Sequence, residues 1–218
     1  KILLVVVIVA GAAGISSGIG VMKGIIDSAP DISKIDVTPT GYSTTVLAAN
    51  GEETATLVGQ GANRQYVTID EIPLDLQHAF VAIEDERFYD HNGIDLHGIG
   101  RAFISGLSKG RFSEGASTIT QQLIKNNVLT SWTSETSFVE KLQRKIQEQY
   151  LALELEKQVN DKDWILENYM NSVNLGANTL GVQAASKKYF NKDVSELTLS
   201  EASVIAGITQ NPSGYNPI

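Results

Sequence analysis

Residues 115–126 read GASTITQQLIKN, and they have the pattern of a helix start. Two small residues precede the hydroxyl side chains of Ser117 and Thr118, and Gln121 lies three positions after Thr118, as in a capping box. Free backbone N–H groups and the helix dipole favour an anion at such a start, and Lys125 lies two turns further along. The pattern alone leaves two interpretations open, a phosphate-binding helix start or a well-capped amphipathic helix.

Residues 84–93, upstream of this stretch, read EDERFYDHNG and bring acidic side chains together with an arginine and a histidine. They follow an apolar run with helical spacing that starts near Pro73. Negative charge at a helix C-terminus is electrostatically unfavourable, and local conflicts of this kind tend to occur at functional sites. The segment is therefore either a functional acidic cluster or a solvated acidic loop.

Residues 144–148, downstream, read RKIQE. Arg144 and Glu148 are spaced i,i+4, and Lys145 and Glu148 are spaced i,i+3, so all three side chains share one face of a helix. Taken by itself, the pattern fits a solvent-exposed ladder of ion pairs as well as a charged site.

The remaining sequence from residue 69 onward also has helical periodicity. We predict helices over residues 96–109 and 137–157, a helix capped by Asp161, and a last helix that Thr198 and Glu201 begin as a capping box. Neither an internal repeat nor an alternation of strands and helices is visible, so the predicted fold is mainly α.

The N-terminal segment contains no charged side chain from Ile2 to Met22, and Lys1 and Lys23 bracket it. As a helix it would extend about 32 Å, which matches the roughly 30 Å hydrocarbon core of a bilayer. We predict a membrane anchor over residues 1–23. The alternatives are a cleaved signal peptide, although the apolar run is long for one, and a buried core helix.

Residues 24–68 are predicted to form a linker and a small β-appendage. Two β-prone runs flank Asn50-Gly51, which predicts a hairpin with a type I′ turn. We interpret this appendage as a spacer between the membrane and the main domain.

The composition excludes some classes of function. The net charge is −8, which disfavours nucleic-acid binding but allows an anionic small substrate that needs only a local group of cations. The chain has no cysteine, so disulfides, thiol catalysis and zinc sites with cysteine ligands are excluded. The first residue is Lys1 and the last three read NPI, so we expect a segment of a longer protein.

Taken in order, five blocks resemble the peptidoglycan glycosyltransferases, glycosyltransferase family 51, which form the polymerase domain of class A penicillin-binding proteins. The blocks are residues 84–93, residues 115–126, residues 144–148, the run ILENYMN at 165–171, and the stretch from Ala184-Ala185 through Tyr189-Phe190 and Glu201-Ala202 to Asn216-Pro217. The resemblance extends from Ile69 to Pro217.

The resemblance implies a mainly α, lysozyme-like fold of two lobes over residues 69–218, with a smaller lobe embedded in the membrane. It implies an inverting enzyme that joins lipid II units by β-1,4 bonds and releases undecaprenyl pyrophosphate. The implied partners are lipid II, the growing lipid-linked glycan, the membrane and other cell-wall proteins, but no nucleic acid. The implied location is the extracytoplasmic face of the bacterial cytoplasmic membrane, with a single membrane span.

The resemblance also assigns roles to residues. Glu84 is the base that takes the proton of the acceptor hydroxyl, and Glu148 is the second catalytic carboxylate, which positions cations or a divalent ion. The implied substrate-binding residues are Asp85, Phe88, His91, Ser117, Thr118, Gln121, Gln122, Lys125, Asn126, Arg144 and Lys145. A divalent cation, Mg or Mn, at the pyrophosphate is compatible with the family, and no organic cofactor is implied.

Two departures and two other functions complete the expectations. Ala116 stands where the family often has glycine, and the link at residues 127–138, which contains Trp132, looks long; we interpret this link as inert rather than as a membrane contact. A glycan-cleaving muramidase or lytic transglycosylase would need no cations for a pyrophosphate. A membrane-anchored scaffold without activity would need neither Glu84 nor Glu148.

Overall fold

A computed structural model describes residues 2–34, 36–57, 63–109 and 115–218. It is mainly helical, as the sequence predicted. In the described part, the α-helices are α1 Ile2–Asp27, α2 Leu74–Glu84, α3 Leu96–Lys109, α4 Ile119–Asn127, α5 Phe138–Val159, α6 Lys162–Ser172, α7 Val182–Phe190 and α8 Leu199–Ile208. The strands are β1 Thr44–Leu47 and β2 Glu53–Leu57, and short 3-10 turns cover Ile32–Lys34, Ile69–Glu71, Thr130–Ser134 and Val194–Glu196.

The first helix, α1, is long and apolar enough to cross a membrane, and its apolar stretch is not buried against the rest of the described chain. The alternative of a buried core helix is therefore wrong. The C-terminal end of α1 contacts α5, where Gln147 donates through Nε2 to the Ile25 carbonyl at 3.2 Å and to Ser28 Oγ at 3.1 Å. This contact connects the apolar helix to the main domain.

The predicted hairpin is present, but its turn differs from the prediction. Strands β1 and β2 pair antiparallel, with an irregularity in register between Val46 and Leu47. Gly51 has a φ of +85°, whereas Asn50 is not among the described residues with positive φ, so a type I′ turn is excluded. The Gly51 N–H instead donates to the Ala48 carbonyl at 2.9 Å, which closes a wider turn.

The core lies between five helices that position the site. Helix α4 is central and packs against α5 and α6, while α2 packs against α8. Their inward side chains are completely buried; examples are Phe80, Leu123, Leu151, Tyr169 and Ile205. Burial of each such side chain stabilises the fold by about 1.5–3 kcal/mol, so the helix ends that carry polar groups are held rigidly relative to one another.

The helix starts follow the predicted caps. Ser137 with Glu140 and Thr198 with Glu201 form capping boxes, and Asp161 accepts from the Trp164 N–H. Helix α4 has only half of its predicted box. Thr118 accepts from the Gln121 N–H, but the Gln121 side chain donates to the Gly93 carbonyl instead of returning to the cap.

The segment predicted as linker also takes part in the core. Val37 and Val67 are buried in the same hydrophobic cluster as the helices. Asn127, at the end of α4, donates through its side-chain amide to the Val37 carbonyl at 2.9 Å. The stretch between α1 and α2 is therefore attached to the main domain at these two positions.

Candidate active site

Glu84 is the last residue of α2, and its half-buried carboxylate is held on both oxygens. Gln122 of α4 donates through Nε2 to Oε2 at 2.7 Å, and Gln210 donates through Nε2 to Oε1 at 2.9 Å. Two amides on opposite oxygens fix the plane of the carboxylate. Each oxygen keeps a second lone pair, so the group can still accept a proton from a bound hydroxyl.

The side chain of Gln122 is itself oriented by a buried tyrosine. The hydroxyl of Tyr169 donates to Gln122 Oε1 at 3.3 Å, which leaves the amide nitrogen for Glu84. Tyr169 is completely buried, and this burial, followed by the charges of Glu84 and Asp85, raises its pKa well above the ordinary value. Tyr169 therefore remains a neutral donor over the working pH range.

The next carboxylate, Asp85, points away from solvent. One of its oxygens accepts the backbone N–H of Ile119 at 3.0 Å, and its carboxylate accepts from His91 Nε2 at 2.9 and 3.0 Å. The Gly93 N–H donates to Nδ1 of His91 at 3.1 Å. Because Nδ1 accepts this bond, Nε2 is the ring nitrogen that bears the hydrogen and donates to Asp85. Asp85 and His91 join the end of α2 to the start of α4.

Two contacts at this helix start weigh against its interpretation as a phosphate-binding site. Two of its backbone donors have partners within the chain: the Ile119 N–H binds Asp85, and the Gln121 N–H binds Thr118 Oγ. Thr118 is 1% exposed and donates its hydroxyl to the Gly93 carbonyl. The N–H groups of Ile119 and Gln121 are therefore not available to a bound anion.

Glu148 lies at the centre of a group of cations and is completely buried. Arg144 donates to Oε1, and Lys145 donates to Oε2 at 2.7 Å. Lys145 also donates to Ser117 Oγ at 2.9 Å, which ties α5 to the stretch before α4. The alternative of a solvent-exposed ladder is wrong, because the carboxylate that all these contacts share is inside the protein.

The link at residues 127–138 is not inert. Glu135 accepts from Arg144 Nε at 2.8 and 2.9 Å, and the side chains of both residues are largely buried. The ring of Trp132 lies 4.9 Å from Lys125 Nζ, within the range of a cation–π interaction. This link therefore holds two of the predicted substrate-binding cations.

Lys125 connects the two halves of the site. Burial lowers its pKa, and the charges of Glu148, Lys145, Arg144 and Glu84 also act on it. Both carboxylates thus lie within electrostatic reach of one lysine, although they are far apart in the chain. Helix α4 produces this arrangement, because it presents Gln122 to Glu84 and Lys125 one turn further along.

A cleft of about 170 Å³ opens beside Glu84. It is lined by residues 82–87 at the end of α2, by Asp95, Gly98 and Arg101, and by residues 115–118. Arg87 binds Asp95 at 2.6 Å on its wall. The cleft is strongly polar and reaches Ser117, whose hydroxyl oxygen contacts the cation group through Lys145.

In the described part of the chain, protein side chains alone offer no set of ligands for a divalent cation. Within the described ranges, no three histidine or acidic side chains converge as a set of ligands. Both oxygens of Glu148 are already held by Arg144 and Lys145. The divalent cation expected at the pyrophosphate stays a prediction, because phosphate oxygens would supply most of its ligands.

The structure brings most predicted site residues together, but at different depths. Glu84, Gln122, Lys125 and Lys145 lie at or near the surface of the site, and Asn126 is half-buried beside Lys125 on α4. Other members lie beneath the surface and support it; these are Asp85, Phe88, His91, Thr118, Gln121, Arg144 and Glu148. Phe88 is the extreme case, since it is fully buried against the His91 ring and under Lys162.

Four contributing residues were not among the predicted site residues: Tyr169, Gln210, Trp132 and Glu135. Tyr169 lies in one of the five sequence blocks, which was a usable signal. Gln210 is 126 positions from Glu84, and no local pattern marks it. The contacts of Trp132 and Glu135 depend on how the link folds back, which periodicity does not show.

Comparison with known proteins gives a consistent result. A family model described as Transglycosylase matches residues 50–218. Penicillin-binding protein 1A of Clostridium botulinum is 42% identical over 211 residues, which are 94% of this chain and 24% of that protein. Penicillin-binding protein 1F of Bacillus subtilis is 44% identical over 176 residues, 81% of this chain and 23% of that protein.

Penicillin-binding protein 1A of Escherichia coli is 41% identical over 220 residues, 100% of this chain and 24% of that protein. The chain therefore spans about a quarter of the length of the curated relatives it matches.

Proposed function

The chain belongs to the transglycosylase family, the glycosyltransferase domain of class A penicillin-binding proteins, and from this premise we propose that it polymerises lipid II into β-1,4-linked glycan. The donor is the growing lipid-linked chain, and the acceptor is a new lipid II. The reaction releases the donor's undecaprenyl pyrophosphate, and the lengthened glycan remains on the lipid of the acceptor.

The main support is the juxtaposition of a fixed carboxylate and a group of cations on either side of Lys125. A sugar hydroxyl is a poor nucleophile, so a base must take its proton as it attacks the anomeric carbon. Glu84 has the lone pairs for this proton while Gln122 and Gln210 hold its plane. The attack forms the new C–O bond on the face opposite the bond that breaks, which inverts the anomeric centre.

The departing diphosphate takes the electrons of the broken C–O bond and develops negative charge. Lys125, Arg144 and Lys145 are the cations next to it in this proposal, and Ser117 adds a hydroxyl. Preorganised cations stabilise such charge strongly, because they need no rearrangement during the reaction. Glu148 holds two of them in place from inside the protein.

The way in which α1 joins α5 supports a membrane location for the domain. Gln147 contacts Ile25 and Ser28, and Tyr150 and Glu154, later in α5, line a cavity with residues 26–33. The later part of α5 therefore lies beside the residues that follow the apolar helix. The start of α5 accordingly lies toward the proposed bilayer.

That start of α5 is apolar and exposed. Phe138 is 78% exposed, Val139 69% and Leu142 48%. An exposed apolar cluster next to a proposed membrane helix is typical of a lipid contact. The arrangement supports a single membrane span with the start of α5 at the bilayer, within reach of a substrate with a lipid tail. In this proposal the catalytic domain lies on the extracytoplasmic face.

The test is Glu84→Gln in the chain with its apolar helix retained, assayed with purified lipid II. The amide cannot take the acceptor's proton, so we expect the rate of glycan synthesis to fall by about 10³-fold. Glu154→Gln, a carboxylate on α5 away from the cleft, is the matched control and should polymerise normally. A Glu84→Gln protein with the wild-type rate would remove Glu84 from its role as base.

The second candidate function, cleavage of finished glycan, must be distinguished from polymerisation. The cation group around Glu148 has no use in cleaving finished glycan, which carries no diphosphate at the scissile bond. Incubation with purified cell-wall glycan should release no soluble fragments. Release of fragments without any polymerisation of lipid II would replace the proposed function.

A further inference from the structure

The last helix of the domain delivers a side chain to the proposed base. Helix α8 packs along α2, and Gln210 lies in the turn just after α8 ends. Its side-chain amide reaches Oε1 of Glu84 at 2.9 Å. We propose that Gln210 is a positioning residue, which holds the carboxylate of Glu84 in the plane that accepts the acceptor's proton.

The two amides on Glu84 differ in what else they do. Gln122 is half-buried on α4 and is also bound by the fully buried Tyr169, so its loss would disturb the core. Gln210 is exposed, and its side chain has this one described contact. Substitution at exposed positions outside such networks usually changes stability little. Gln210 therefore separates positioning from folding better than Gln122 does.

Rotation of the carboxylate explains why one amide is not enough. The terminal torsion of a glutamate side chain is soft, so a single hydrogen bond to Oε2 leaves Oε1 free to swing. A second donor on Oε1, delivered from a different helix, removes this freedom. Small misplacements of a reacting group reduce rates strongly, so the effect of Gln210 should appear in the chemical step.

The inference rests on the proposed function, because its readout is lipid II polymerisation. The variants are Gln210→Ala, which removes the donor, and Gln210→Glu, which cannot donate when ionised and repels Glu84. Gln158→Ala, an exposed glutamine near the end of α5, is the matched control. All are compared with the wild-type chain, with its apolar helix, for kcat, KM and melting temperature.

We expect kcat to fall about tenfold for Gln210→Ala, because a hydrogen bond to a charged group is lost. For Gln210→Glu we expect a fall of about a hundredfold, because repulsion between two carboxylates is added to that loss. KM and melting temperature should stay at the wild-type values, and Gln158→Ala should match wild type throughout.

Three results would overturn the positioning role. The first is an unchanged kcat in Gln210→Ala. The second is a raised KM with kcat unchanged, which would make Gln210 a substrate contact. The third is a loss of kcat that follows a loss of melting temperature, which would make its role structural. A wild-type chain that makes no glycan would instead overturn the proposed function, and the inference with it.

Discussion

The carboxylate of Asp85 accepts the backbone N–H of Ile119 at 3.0 Å, so the end of α2 meets the start of α4 through one buried hydrogen bond. This contact explains why acidic residues are tolerated after α2. Negative charge is unfavourable at the C-terminus of its own helix but favourable at the N-terminus of another. The conflict in the sequence is resolved by a neighbour 34 positions away.

Asp85→Ala should destabilise the protein by about 2–3 kcal/mol, because it leaves a buried backbone donor and the His91 donor without an acceptor. Asp85→Asn keeps one acceptor oxygen and should cost less. Urea unfolding measures the stability of both variants, with Asp90→Asn, at an exposed position, as the control. Equal stability of Asp85→Ala and wild type would show that the contact with Ile119 contributes nothing.

Much of the helical framework could be predicted because its signals are local. Ser137, Asp161 and Thr198 each bind a backbone N–H three residues later, and this spacing is visible in the sequence. Helix α7 was missed because it begins after Gly181, which has a φ of +82° and no side chain to cap it. Nothing in its composition marks that start.

The site was predictable where several side chains come from one helix. Arg144, Lys145 and Glu148 share a face of α5 by spacing alone, and the structure keeps them together. Burial was not predictable, because it depends on what packs against that face. The same limit applies to Gln210 and Glu135, whose partners are set by the packing of α8 and by the fold of the link.

Lys125 gives a prediction about alkaline pH. Burial lowers its pKa, which outweighs the opposite effect of the nearby Glu148 and Glu84. A lysine with a lowered pKa loses its charge at a lower pH than an ordinary lysine. As the pH rises, the proposed diphosphate site should therefore lose the charge of Lys125, and KM for lipid II should rise.

The variant Lys125→Arg checks this explanation, since a guanidinium stays charged over the whole range. We expect the alkaline rise in KM to move to higher pH in Lys125→Arg, provided that its melting temperature matches wild type. Lys157→Arg, on an exposed part of α5, should leave the profile unchanged. An identical alkaline profile in Lys125→Arg would assign the titration to another group.

Asp95 should contribute to stability in acid. Its hydrogen bond to Arg87, opposed by burial and aided by the Gly98 N–H, lowers its pKa from 3.8 to about 2. A lowered carboxyl pKa contributes stability that is present above the ordinary value and is lost as the pH falls from about 4 to about 2.

Asp95→Asn removes this titration. The free energy of unfolding of the wild type should therefore exceed that of the variant by about 1 kcal/mol at pH 6, a value reduced for solvent screening. The difference should shrink as the pH approaches 2. Chemical unfolding at several pH values measures it, with the exposed Asp75→Asn as the control. A difference that stays constant down to pH 2 would mean that packing, rather than the charge of Asp95, sets the effect.

The apolar start of α5 leads to a prediction about membrane binding that does not involve catalysis. If Phe138, Val139 and Leu142 enter the lipid, replacing all three with serine should weaken binding of the main domain to vesicles while leaving its fold intact, because these side chains are exposed in the protein. The measurement is co-sedimentation of residues 24–218, without the apolar helix, with phosphatidylglycerol vesicles. The control variant changes Leu199 and Val204, which are exposed on α8, to serine. Equal sedimentation of the α5 variant, the α8 variant and the wild-type segment would place the start of α5 in water and would leave α1 as the membrane contact.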